Sequence, residues 1–383
     1  MKKSIAVAAL IAGFTLCAPS AVHAQINPAV MPASGPLSKQ TMSRLLLSDA
    51  ARVGNRVVAV GDRGYIVFSD NNGDTWTRAK VPPNTPLLTA VFFLDGKSGW
   101  AVGHDSMILT STDQGESWSK AFSAPDEQKP LMDITFQDAN NGFAVGAYGA
   151  FYATTDGGKT WEPRKLYEST KAPAPKNAPK KGKYESVGDG KAKDGDVDDK
   201  AAGKGGDEDK HINAIIKLGD NKLFVAGEAG LLAKSDDGGK KWQKIVSPYK
   251  GSFFGAIQAQ DGAVVIYGLR GRIYRSNDAA LSNWTLIENK TVASLMGSTR
   301  LADGALVLAG LAGTVLVSRD NGATFAALPS GSTKALAAPL PGAPNTLLVV
   351  GEAGVRSLPL AVAAAAPAPS ASTVAPAAEP AKK

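Results

Sequence analysis

Chemistry in this chain would have to come from scattered carboxylates and arginines, a few histidines and one cysteine. Glu228 and Glu352 stand in identical Gly-Glu-Ala-Gly tetrapeptides. A carboxylate pair is what glycoside hydrolysis needs, one group as acid and the other as nucleophile or base. Arg63, Arg270, Arg300 and Arg356 could grip a substrate carboxylate as sialidases do, provided the fold brought them together. Nothing in their spacing does so, and the Arg-Ile-Pro signature of sialidases is absent. Both glutamates read more simply as exposed turn residues. Metal sites fare no better. Asp70-Asn71-Asn72-Gly73-Asp74 has the opening of a calcium loop, but Thr75 stands where that loop needs glycine. Asp194, Asp196, Asp198 and Asp199 repeat the acid spacing without the glycine or the closing glutamate. His104 and His211 have no further ligands at zinc spacing. Cys17 is the only cysteine and lies in the leader described below, which leaves neither a thiol nucleophile nor a disulfide. The sequence therefore assigns no catalytic residue, no metal and no cofactor.

The elements that carry these residues repeat. A phrase of apolar residues ending Val-Gly-x-x-Gly, a short apolar run, then Ser-x-Asp-x-Gly-x-Thr-Trp returns with its first glycine at Gly61, Gly103, Gly146, Gly227, Gly268, Gly310 and Gly351. Successive differences are 42, 43, 81, 41, 42 and 41, so one interval holds a repeat plus an insertion. A period just above forty residues, built of short strands and tight turns, predicts propeller blades. The expected fold is all-β, a seven-bladed β-propeller of mostly four-stranded antiparallel blades over residues 44–360. In the second unit the strands are expected over 88–94, 99–102 and 107–111, with Trp118 opening the fourth.

Residues 1–24 read as a signal peptide, with Lys2 and Lys3 before an apolar stretch over 5–16 and small residues ahead of Gln25. This predicts a periplasmic protein, or a secreted one. The apolar stretch is too short to span a bilayer. The net charge of +7 falls to +5 once Lys2 and Lys3 are removed, too mild for a nucleic-acid partner. Residues 168–210, rich in Lys, Asp, Gly and Pro, predict a disordered charged insertion between blades three and four. Residues 361–383 read as an Ala/Pro-rich disordered tail. The seventh unit lacks a fourth strand, and residues 25–43 occupy the place of a strand preceding the first unit. Part of that segment is expected to close the ring by pairing with residues 355–360.

The turn after each third strand carries Asp113, Asp156, Asp237, Asp278 or Asp320, with Asn71 in the first unit. Its aromatic anchor is Trp76, Trp118, Trp161, Trp242, Trp284 or Phe325. A side-chain oxygen there accepts backbone N–H groups, glycine takes a left-handed conformation, and the aromatic ring packs into the blade. This turn resembles the Asp-box, or BNR repeat, of sialidases, some glycanases and sortilin-type receptors, where it is structural. The whole unit, most clearly over 99–118 and 142–161, resembles the photosystem II stability/assembly factor family. That resemblance implies an exported, non-enzymatic seven-bladed scaffold that binds a protein partner and assists assembly of a membrane protein complex. A glycan-binding or sialidase-like, glycan-hydrolysing propeller is the alternative.

The paired-glycine turns offer a binding surface. Their frame is constant and their tips vary: Asp62-Arg63, His104-Asp105, Ala147-Tyr148, Glu228-Ala229, Leu269-Arg270, Leu311-Ala312 and Glu352-Ala353. Such tips lie on the face that also carries the connections between blades, opposite the Asp turns. The expected contacts to a protein partner, a membrane protein, are Arg63, Arg270 and Arg272, extended by His104, Tyr148 and Glu228, with the propeller acting as a monomer.

Overall fold

In the computed structural model residues 34–167 and 209–360 are described. The expected signal peptide, nearly all of the expected charged insertion and the Ala/Pro tail lie outside them. The described residues form a seven-bladed β-propeller. The innermost strands are Leu47–Val53, Leu88–Phe93, Leu131–Phe136, Ile212–Gly219, Phe253–Gln258, Leu295–Arg300 and Leu336–Pro341. Each touches the innermost strand of the next blade, and Leu47–Val53 packs on Leu336–Pro341 to complete the ring. Every blade is an antiparallel sheet that runs outward from this strand.

The sequence makes blades because each second strand is apolar and buried along its length, apart from the opening Arg56, Lys222 and Thr346 in blades one, four and seven. Gly99–Gly103 and Gly142–Gly146 are buried throughout. A strand that alternates would leave one face to water, whereas these are covered on both faces by neighbouring blades. Val58 and Phe68 of blade one thus share a core with Val91, Leu109 and Trp118 of blade two. The second-unit strands fall within a residue of expectation, at Leu88–Phe93, Gly99–Gly103 and Ile108–Ser111. Trp118 does not open the fourth strand. It immediately precedes Ser119–Phe122, and its indole donates back into the turn to Gly115 O.

Among the described residues the ring is not closed by strand exchange. Gly35–Leu37 pairs with Trp76–Arg78, giving blade one a fifth strand, and the sheet of blade seven has three strands among the described residues. Residues 25–33 of the expected closing segment lie outside the described part. The blade-seven Trp position is filled instead by Leu358, buried against Val307 and Leu347, with Leu360 beside it. The seam is held by the packing of the innermost strands and by the Gly354 N–H, which donates to Leu45 O at 2.8 Å. The described chain resumes at residue 209, slightly inside the expected insertion, and the Gly149 N–H donates to Lys210 O at 3.1 Å.

Candidate partner-binding face

The first glycine of each pair is extended rather than left-handed, with φ near 180° at Gly61, Gly103 and Gly268. Glycine is required there for room. A Cβ on Gly61, Gly103 or Gly146 would collide with the carbonyl oxygen of Leu46, Leu87 or Pro130, where the innermost strand bulges past. Positive φ falls on the next residues instead. The middle of the tip is Arg63, Asp105, Tyr148, Ala229, Arg270 or Ala312, with φ between 47° and 59°. A left-handed non-glycine residue costs about 1 kcal/mol. Here it lifts the side chain away from the sheet.

The tips are tied to the connections between blades, which confirms that both share one face. The Ser106 N–H donates to Lys129 O at 3.2 Å, and the Gly230 N–H to Gly251 O at 3.0 Å. Arg63, His104, Tyr148, Arg270 and Arg272 are exposed on this face and Glu228 is half-buried. They do not converge on one point. Arg63 belongs to blade one and Arg270 to blade five, across the ring. Arg63 also lies 3.5 Å from Asp62. Tyr148 and Glu228 do meet, through His211. The Tyr148 and His211 rings are 4.8 Å apart edge to face, and the His211 N–H donates to Glu228 Oε2 at 3.1 Å. Glu352 faces Lys334 at 3.0 Å in blade seven, so Glu228 and Glu352 form no paired site. Arg300 donates to Gln258 O at 3.1 Å, between innermost strands, and shares nothing with Arg63 or Arg270.

Sequence reasoning found Tyr148 and placed Leu311 among the tips but missed the rest of the apolar part of this face. Leu46, Tyr148, Val246, Val292, Met296 and Leu311 are the large apolar side chains that stay exposed among the described residues, and all six lie here. Leu46, Met296 and Leu311 rim the mouth of the central channel, a cavity of about 500 Å³ that also has Met132, Phe254 and Leu336 in its wall. The signal was present in the bulged position of the innermost strands, where blades three, five and six carry Met132, Phe254 and Met296 and the others Ser48, Thr89, Asn213 and Ala337. Deeper in the channel stand two carboxylates that the sequence reading also passed over. Asp49 Oδ2 accepts from the Val91 N–H at 2.9 Å, and Asp133 Oδ2 from the Ile215 N–H at 2.8 Å. Each therefore bridges to the following blade. Burial pushes both carboxyls up to about 7, against the pull of those N–H groups, and Asp49 raises Asp133 further. In blade five the same column holds Gly255, whose vacant space is taken by the Tyr267 hydroxyl, donating to Ser298 Oγ at 2.9 Å.

The opposite face is uniform. In blade two the Ser111 hydroxyl donates to Asp113 Oδ1 at 2.8 Å and accepts from the Gly115 N–H at 2.9 Å. Asp113 Oδ1 also accepts from the Ser117 N–H at 3.0 Å, and Trp118 Nε1 donates to Gly115 O at 2.9 Å. Asp156, Asp237 and Asp320 repeat this in blades three, four and six, and Asn71 repeats it in blade one through the Thr75 N–H at 2.9 Å. The extra residue in blade five moves the contacts of Asp278 to the N–H groups of Ser282 and Asn283. Trp284 Nε1, like Trp242 Nε1, is buried without an acceptor, whereas Phe325 has no such group to satisfy. The acids of the would-be calcium loop are engaged elsewhere. Asp70 holds Arg56 at 2.7 Å, and Asn72 accepts from Arg52 at 3.1 Å.

Residues 120–175 match the family model for photosynthesis system II assembly factor YCF48. The chain resembles that family. A solved structure of YCF48 bound to D1 peptide matches with a TM-score of 0.59 at 18% identity, covering 86% of this chain and 97% of that one. YCF48 from Cyanidioschyzon merolae gives a TM-score of 0.60 at 17% identity, with 85% and 98% covered. The GH74 xyloglucanase from Xanthomonas campestris gives 0.59 at 13% identity, with 85% and 53% covered. At these identities the likeness is one of fold, and fold alone does not choose between scaffold and glycanase. No curated protein matches the sequence.

Proposed function

We propose that this propeller is an exported, periplasmic and non-enzymatic scaffold. It docks its glycine-turn face on a protein partner and assists assembly or stability of a membrane protein complex. The observation that carries the reading is the segregation of exposed apolar side chains, six on one face and none on the other among the described residues. A monomer in water has no reason to concentrate such groups, and an apolar patch with a polar rim marks an interaction surface. The likeness to YCF48, one solved example of which is bound to a D1 peptide, agrees with a polypeptide ligand. Arg63, Arg270, Arg272, His104, Tyr148 and Glu228 form the polar rim, and Leu46, Met296 and Leu311 the apolar centre.

The test is capture of a membrane protein from detergent-solubilised membranes by the immobilised protein. Leu46→Glu with Leu311→Glu should lower capture at least tenfold, and Arg63→Glu with Arg270→Glu should weaken it further. Each pair should leave the melting temperature within a few degrees. Lys159→Glu with Lys240→Glu, in the Asp turns, should change neither. Loss of capture in the lysine pair alone, or turnover of chromogenic sialosides or glycans by the wild-type protein, would overturn the reading.

A further inference from the structure

The outer edge of blade seven has no counterpart in the other blades. In blades one to six the third strand carries an outer strand, and the outer chain returns a hydrogen bond. Leu328 N–H donates to Val315 O, and Ile245 N–H to Leu232 O, both at 2.9 Å. Val355 and Ser357 hold the equivalent places in blade seven. The pairs Val350–Val355 and Leu348–Ser357 match Ala309–Val315 and Val307–Val317 of blade six. Yet among the described residues nothing bonds to their outward N–H and C=O groups, and Ser357 is exposed. Between them Arg356 reaches back toward the blade six–seven connection, where Nη2 donates to Gly331 O at 3.3 Å. Its Nε is buried without an acceptor.

The following sequence is poorly suited to this place. Outer strands of the other blades begin seven to nine residues after the third strand ends. Counted from Pro359, that interval reaches residues 366–368, in the run Ala366-Pro367-Ala368-Pro369. Proline has no N–H for a ladder, and no tryptophan follows to anchor the strand. The chain does show how a blade accepts an addition, since Gly35–Leu37 pairs along the rim of blade one over three residues.

We propose that the edge Gly354–Pro359 takes an extended segment of a partner polypeptide as an antiparallel fourth strand, with an acidic side chain beside Arg356. Val355 and Ser357 supply the backbone donors and acceptors, as in other strand-addition complexes. A carboxylate on the added strand accepts from the outer end of the Arg356 guanidinium, whose Nη2 stands in an exposed position at Gly331 O. Pro359 ends the ladder, because it has no N–H, so the added strand is as short as the two- to four-residue outer strands of the other blades. The edge lies beside the glycine-turn face at Gly331, and the proposal does not depend on which protein docks there.

The probe is a capped hexapeptide of alternating valine and glutamate, with a valine–lysine hexapeptide as control. The readout is amide hydrogen exchange of Val355 and Ser357 in the full chain. In the free protein both amides should exchange rapidly. At four times its Kd, expected to be about millimolar for so short a ladder, the glutamate peptide should slow both about fivefold. The lysine peptide should slow them less than twofold. Ser357→Pro removes one outward N–H while keeping the inward ladder, so it should abolish the effect at an unchanged melting temperature. Arg356→Ala should erase the preference for glutamate over lysine, and this arm decides the matter should the proline variant misfold. Protection of both amides in the free chain, or exchange that the peptide leaves unchanged, would refute the proposal.

Discussion

Asp49 and Asp133 make the propeller more stable in mild acid than at neutral pH. Their carboxyls stand near 7 in the folded chain against an ordinary value of 3.8. The folded state therefore binds more protons than the unfolded state between about pH 4 and 7. Stability from these groups is complete below about pH 4 and is lost as pH rises through 7. A rise of about three pKa units corresponds to about 4 kcal/mol per carboxyl as a ceiling. Both groups are partly reached by channel water, and half the ceiling, about 4 kcal/mol for the pair, is the working figure. For a domain of this size that lowers the melting temperature by roughly 10 °C between pH 4.5 and pH 8. Other groups do not obscure the window. Asp70, Asp156 and Glu352 are held below the usual carboxylate range, so their contribution is lost only as pH falls below about 4. Lys217 lines the same channel, with its ammonium on Gln137 O at 3.0 Å, and Tyr267 stays neutral throughout. Asp49→Asn with Asp133→Asn keeps an oxygen for the Val91 and Ile215 N–H groups and removes the titration. Thermal melts by circular dichroism from pH 4.5 to 8 should show the wild-type curve falling and the double variant flat and higher at pH 8. A wild-type melting temperature independent of pH, or a double variant less stable at pH 8, would refute the reasoning.

Two further outcomes test the frame. Trp118→Ala empties a buried anchor between blades one and two and should cost about 3–5 kcal/mol, read as a lower denaturation midpoint. Partner capture should fall only in proportion to the unfolded fraction. Gly103→Ala places a methyl group on the Leu87 carbonyl, which the bulged innermost strand cannot yield without losing its ladder. It should destabilise more than Ala147→Ser one blade away, which adds one hydroxyl to a buried methyl group, and denaturant melts of the two variants make the comparison.

The architecture was legible because seven copies of one pattern over-determine it. The glycine pairs, the Asp turns and the apolar third strands each mark the same boundaries. Their reasons were less legible. Gly61 and its equivalents are extended and are needed because another strand passes close by, and a distant approach leaves no trace in local sequence. The end of the ring was less legible: residues 25–43 stand in repeat register with a fourth strand, and in their described part Gly35–Leu37 pairs with Trp76–Arg78 of blade one. At the binding face the charged tips were visible as a variable column. Leu46, Val246 and Val292 were invisible, because exposure of an apolar residue depends on what the rest of the ring leaves uncovered. Asp49 and Asp133 were likewise hidden in strands that read as ordinary blade interiors.

The seam between blades seven and one has a mechanical consequence. Among the described residues no sheet is shared across it, and the described chain leaves the ring on either side, at residue 34 on the rim of blade one and at residue 360 on the rim of blade seven. A load applied through either end therefore meets the border of a sheet, where hydrogen bonds break one after another at low force, rather than an interlocked pair of strands that must slide all at once. A propeller tethered at its ends would shed Gly35–Leu37 or Gly354–Pro359 first and keep the remaining blades packed, so tension could remodel the rim while the central channel and its mouth stay intact.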